Sequence, residues 1–231
     1  MSTAVTSGAA IVIGTNNVTI DCNDFRIGGL AAGVSTDTIG ILVNNHLNAT
    51  IRNCGVRGFL EGIRIAGNAS GALIEHNRLD QNTDAGITLA GTGHMVRFNR
   101  IVDTGGRPAS TQTDGIASTA DETQITDNTI IGMTVTENEG DVVGISSFGN
   151  ASEVARNYMT GLVPDDTGEA FGISAGLSVG SSIHRNQILS FPDVNGTAIL
   201  SGVDNQCSNN NHTGWDSGIV GCADAGGNFG N

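Results

Sequence analysis

Two fragments of the chain place a carboxylate directly ahead of a glycine-containing strand start. They are Asn82-Thr83-Asp84, followed by Ala85-Gly86-Ile87, and Gln112-Thr113-Asp114, followed by Gly115-Ile116. Two carboxylates flanking one bond can act as acid and base in its hydrolysis. The same region carries Glu61, Arg64, Thr88, Asp103 and Arg107. Elimination beside a carboxylated sugar makes other demands: a base for the proton, and positive charge facing the carboxylate as it becomes enolate-like. Arg64 and Arg107 are the candidates for that work. Glu61 and Thr88 are expected to bind substrate, and Asp84, Asp103 and Asp114 offer oxygen ligands for Ca²⁺. The competing reading of Arg64 is an ion pair with Glu61.

Other nucleophile and metal chemistries find less support. His46, His76, His94, His184 and His212 stand at unrelated offsets, and are expected on turns and surfaces rather than around a shared metal. Ser146 and Ser174 have no neighbouring His to activate them. The four cysteines lack CxxC spacing, which argues against a zinc or dithiol redox site.

The elements that must position these groups are visible as an internal repeat. An aliphatic residue, Asn three positions on and an apolar residue two further recur as Ile20/Asn23/Phe25, Ile74/Asn77/Leu79, Val96/Asn99/Ile101, Ile125/Asn128/Ile130, Val154/Asn157/Met159 and Ile183/Asn186/Ile188. Ile51/Cys54/Val56 is a variant. Ahead of these stand Gly40-Ile41, Gly62-Ile63, Gly86-Ile87, Gly115-Ile116, Gly144-Ile145, Gly172-Ile173 and Ala198-Ile199. From Cys54 to Asn186 the steps are 23, 22, 29, 29 and 29 residues. Short strands with period-two alternation, at a repeat of this length, predict an all-β solenoid of about eight coils. Leucine-rich repeats of similar period need an LxxLxLxxN frame that is absent. The recurring Asn predicts a buried ladder, its amide bonding its neighbours at the strand spacing of about 4.8 Å.

Within that register, Leu42, Arg64, Thr88, Ala117, Ser146, Ser174 and Leu200 should form one outward row, with Glu61, Asp84, Asp103, Arg107 and Asp114 grouped around Arg64. A second outward row, Asp21, Arg52, Glu75 and Arg97, alternates in charge and reads as structural. The longer coils gain their residues at 28–39, 103–114, 133–143 and 161–171, expected to stack as one wall. That wall carries Asp103, Asp114, Glu137, Glu139, Asp141, Asp165, Asp166 and Glu169 against Arg107.

Of 231 residues, 34 are Gly and 14% are charged, so turns are many. A net charge of −13 disfavours nucleic acid and anionic lipid as partners. The apolar residues form no run long enough to span a bilayer. Cys22 and Cys54 fall near equivalent points of neighbouring coils, and Cys207 and Cys222 both fall in the final coil region. Two disulfides are therefore expected, with four buried free thiols as the other reading. No signal peptide is visible at Met1, which suggests that an export segment has been removed. The chain is expected to be one domain, 1–231, with 205–231 as a disulfide-linked cap.

Ile20-Asp21-Cys22-Asn23 followed by Ile51-Arg52-Asn53-Cys54, with the Gly-Ile starts and the Asn row, resembles the pectate-lyase-like superfamily. The resemblance covers nearly the whole chain and implies a single-stranded right-handed parallel β-helix. Asn82-Thr83-Asp84 and Gln112-Thr113-Asp114-Gly115 also resemble polygalacturonase motifs, but the Asp-Asp, Gly-His-Gly and Arg-Ile-Lys motifs of those enzymes are missing. The superfamily implies an extracellular, periplasmic or cell-surface protein acting on polysaccharide. Elimination on an acidic glycan, aided by Ca²⁺, is expected before hydrolysis. The alternative is a non-catalytic module for glycan binding, adhesion or surface scaffolding.

Overall fold

The structure, a computed structural model, describes residues 5–29, 32–108, 110–136, 140–165, 167–191 and 194–230. Its strands pair in parallel with their equivalents one turn away, giving three nine-stranded sheets wound as a right-handed β-helix. Sheet 1 holds the Gly-Ile strands, sheet 2 the strands before the Asn turn and sheet 3 those after it. Seven coils carry the repeat read in the sequence, and two more follow, so the expectation of about eight is slightly off. In these last two coils the apolar positions of the motif are taken by Cys207 and His212 and then by Asp224 and Gly230, so the aliphatic signature is lost.

Side chains alternate across each short strand, so every coil sends one aliphatic row inward from each sheet. In sheet 1 the row is Ile41, Ile63, Ile87, Ile116, Ile145, Ile173 and Ile199, all fully buried. The glycine before each isoleucine has a steric cause. A Cβ on Gly86 would lie 2.6 Å from the Gly115 carbonyl oxygen, and one on Gly115 would lie 2.5 Å from that of Gly144. At these coil corners the carbonyl of the next coil leaves no room for a side chain; only the last start of the row, Ala198, carries a methyl group.

The Asn ladder is present and longer than the sequence suggested. Asn77, Asn99, Asn128, Asn157, Asn186, Asn210 and Asn228 are linked, each Nδ2 donating to the next Oδ1 at 3.0–3.1 Å. Each Nδ2 also donates to a carbonyl of the preceding coil, as Asn128 does to Val96 at 2.9 Å. Cys54 opens the ladder through its amide, which donates to Asn77 Oδ1 at 3.0 Å. Asn23 is not part of it: it is exposed, with φ 47°, and its amide turns back to Asp21.

Both expected disulfides are formed, Cys22–Cys54 across the first two coils and Cys207–Cys222 at the C-terminal end. The alternating row forms ion pairs, Asp21–Arg52 at 2.9 Å and Glu75–Arg97 at 2.8 Å. The long coils differ from expectation in one respect. Part of their extra length continues the strands rather than looping out, as in Thr129–Thr134, Tyr158–Val163 and Asp141–Ser147. Stacking of equal coils makes this possible, since Met133 pairs with Leu162 and Gln112 with Asp141. Of the proposed acidic wall, Glu137, Glu139 and Asp166 lie outside the described residues.

Among the described residues no helix is long and apolar enough to cross a membrane. His94, expected on a surface or turn, is buried, and its Nδ1 accepts the Ala72 amide at 3.1 Å. Burial lowers its pKa, which holds the ring neutral as that acceptor role requires.

Candidate active site

The parallel register of sheet 1 carries Leu42, Arg64, Thr88, Ala117, Ser146, Ser174 and Leu200 as consecutive partners, as the repeat implies. Three residues before Arg64, at the start of its strand, stands Glu61, and in the same column two coils on stands Asp114. Asp84 precedes the Ala85–Leu89 strand between them, and its carbonyl accepts the Asp114 amide at 3.1 Å. Glu61, Arg64, Asp84 and Asp114 therefore form one contiguous patch.

Each group has defined partners. The Arg64 guanidinium donates through Nε and Nη2 to both oxygens of Glu61. Asp84 accepts the Ser110 hydroxyl. Asp114 accepts the Ser146 hydroxyl and the Gln112 side-chain amide, the latter at 3.1 and 3.0 Å to its two oxygens. Burial pushes the Asp114 carboxyl up to about 6, and the charge of Asp84 adds to the rise, against the lowering effect of Ser146 and Gln112. The hydrogen bonds to Glu61, together with the charges of Glu61 and Asp84, hold Arg64 above its already high value despite partial burial.

These relationships sort the residues named from sequence. Arg64 is a fixed cation; deprotonating it is harder here than in water, so it is poorly suited to be a base. Arg107 donates to Asp37 at 2.7 Å, tying the fourth coil's excursion to that of the first. Thr88 sits half-buried on the outward row beside Arg64. Asp103 is turned away to a cleft of about 310 Å³ that it lines with Val34, Gln81 and Thr83. Asp84, Asp103 and Asp114 do not converge: among the described residues no three His, Cys, Asp or Glu are placed to share a metal ion.

Ser110 and Gln112 were not foreseen as site residues. Gln112 was legible in principle, because strand alternation puts it on the same side as Asp114, two residues on. Ser110 reaches Asp84 from an excursion whose path the repeat does not specify.

A family model described as periplasmic copper-binding protein (NosD) matches residues 2–164. No curated protein matches the sequence at a significant level. Among solved structures, the A-module of the mannuronan C-5 epimerase AlgE6 from Azotobacter vinelandii is similar with a TM-score of 0.51 and 14% identity. The match covers 94% of this chain and 65% of that one. Endopolygalacturonase I from Stereum purpureum, complexed with two galacturonates, gives a TM-score of 0.48 at 14% identity, over 93% of this chain and 69% of its own. The chain thus spans about two thirds of the length of these proteins. At such identities the likeness concerns the fold alone.

Proposed function

The chain belongs to the family described as periplasmic copper-binding protein (NosD), and on its β-helix scaffold we propose a polysaccharide-active acid–base centre built on Asp84 and Asp114. One arrangement carries this reading: Asp114, its carboxyl pushed up to about 6 by burial, is held beside a second carboxylate on the outward face of a sheet. A group with that pKa holds and releases its proton near neutral pH, as general acid–base chemistry requires. In this scheme Asp114 delivers or removes the proton at the sugar, with Ser146 and Gln112 fixing its orientation. Asp84 supplies the companion charge, held by Ser110. Arg64, anchored by Glu61, presents fixed positive charge to an oxygen of the substrate.

Cleavage by hydrolysis follows most directly from two carboxylates. Elimination is the second reading, favoured by Arg64 lying close enough to Asp84 to feel its charge; a uronate carboxylate would then face Arg64 and Asp114 would take the proton. Ca²⁺ would need oxygens from the substrate as well as from Asp84 and Asp114. Copper, which the family's description names, lacks a matching donor set among the described residues. All four cysteines are in disulfides, and His94 and His184 are engaged separately, with the Ala72 amide and with Glu153. The two disulfides support an oxidising compartment, periplasmic or extracellular.

The test is a panel of neutral and acidic polysaccharides, with and without Ca²⁺, read for reducing ends and for the ultraviolet absorbance of unsaturated uronates. Reducing ends without absorbance mean hydrolysis, and both together mean elimination. Neither signal on any substrate overturns the proposal in favour of a non-catalytic glycan-binding module.

A further inference from the structure

On the opposite side of the solenoid, around the Asn turn, the first four coils carry arginines that the charge balance of the chain does not explain. In sheet 3, Arg26, Gly55, Arg78 and Arg100 occupy one outward column in consecutive strands. Arg78 and Arg100 are direct neighbours at the inter-strand spacing of about 4.8 Å, an unfavourable placement for like charges. All three are exposed. Their neutralisation is incomplete: Asp80 is shared between Arg78 at 3.2 Å and Arg57 at 3.5 Å. Arg26 and Arg100 have no ion-pair partner among the described residues. This contrasts with sheet 2 next door, where Arg52 and Arg97 are each matched by a carboxylate.

Gly55 opens the column. Arg26 folds its stem across it, so that a Cβ on Gly55 would lie 2.8 Å from Arg26 Cγ. The result is a hollow of about 160 Å³ lined by Arg26, Arg78, His76, Asp24 and Gly55. His76 stacks on the exposed Phe98, ring centres 5.1 Å apart and planes 13° from parallel, and so adds a flat wall.

We propose that this hollow and the arginine column beside it form a second carbohydrate-binding site, for an acidic oligosaccharide, separate from Asp84 and Asp114. Arginine suits the task because its planar fork can take a carboxylate or sulfate in two parallel hydrogen bonds. Every basic residue of the chain other than histidine is an arginine. A chain of acidic sugars running along the solenoid axis would set successive anionic groups against Arg26, Arg78 and Arg100, relieving their mutual repulsion. The surrounding net charge of −13 rejects anions elsewhere and makes this patch the place where they bind.

The proposal is tested by calorimetric titration of the intact protein with trigalacturonate, maltotriose and a single-stranded DNA 12-mer at low and moderate salt. Trigalacturonate should bind and weaken as salt rises, with maltotriose silent. R26Q/R78Q should weaken binding by tenfold or more. Arg26→Gln alone, which breaks no ion pair among the described residues, should weaken it measurably, with an unchanged melting temperature as the check on its fold. R185Q, an exposed arginine on a distant coil, should bind as the parent does. The proposal is overturned if trigalacturonate does not bind, if R26Q and R26Q/R78Q bind it like the parent, if R185Q loses as much as R26Q/R78Q, if maltotriose binds equally, or if the DNA binds more tightly.

Discussion

The Asp114 amide donates to the Asp84 carbonyl at 3.1 Å, which places two carboxylate side chains on consecutive coils of one sheet face. Because each is held by its own hydroxyl, Ser146 for Asp114 and Ser110 for Asp84, neither is free to swing away from the other's charge. Burial, with a smaller contribution from the Asp84 charge, raises the Asp114 carboxyl from an ordinary 3.8 to about 6.

That rise has a consequence for stability. Between pH 4 and 6 the folded chain holds a proton on Asp114 that the unfolded chain has lost, so stability falls as pH rises through this window. The contribution is present below about pH 4 and gone above about 6, and its size is about 1 to 3 kcal/mol once partial solvent access is allowed for. Asp114→Asn should flatten this slope. Melting temperatures at pH 5 and pH 8 check it: D114N should gain relative to the parent at pH 8, and an equal offset at both values contradicts the shift.

The ladder predicts a different kind of loss. Asn128→Leu strands the Asn99 backbone amide and the Val96 carbonyl, leaves Asn157 Oδ1 with only the backbone amide of residue 128, and should cost about 1 to 3 kcal/mol. Thr136→Ala, on an exposed position, should stay within about 0.5 kcal/mol. Urea midpoints of the two variants decide the matter; equal midpoints would mean that the ladder contributes nothing net.

Reduction should also be visible. The Cys22–Cys54 bridge spans 32 residues, and opening a loop of that size removes about 3 to 4 kcal/mol in the chain-entropy picture. Non-reducing peptide mapping should recover Cys22 with Cys54 and Cys207 with Cys222, and reductant should lower the melting temperature. An unchanged melting curve after complete reduction contradicts that contribution.

Much of this architecture could be read before any coordinates. The isoleucine rows, the ladder from Asn77 to Asn186, the pairing of the cysteines and the charge row at Asp21, Arg52, Glu75 and Arg97 all follow from stacking equal coils, because one register dictates every neighbour. The same register put Glu61, Arg64, Asp84 and Asp114 together. What the repeat could not convey lies where coils are unequal. Arg107 finds Asp37 across 70 residues because two excursions meet. Asp103 faces a cleft walled by Gly33 and Val34 of the first coil's excursion. Asn23 stands outside the ladder where the next coil offers the disulfide-bonded Cys54 in place of an asparagine side chain. Arg64 is bonded to both oxygens of Glu61, the ion pair that the sequence offers as its competing reading.

The most direct measurement is the pH dependence of turnover on whichever polysaccharide of the panel is cleaved, for the parent, D84N, D114N and R97Q. Asp114 as the proton-transfer group predicts a rate limb near pH 6 in the parent, loss of that limb and a fall of at least a hundredfold in kcat for D114N, and a comparable loss for D84N. R97Q, on the structural charge row, should keep its profile. A D114N variant that folds and turns over like the parent, with the limb near pH 6 intact, contradicts the account.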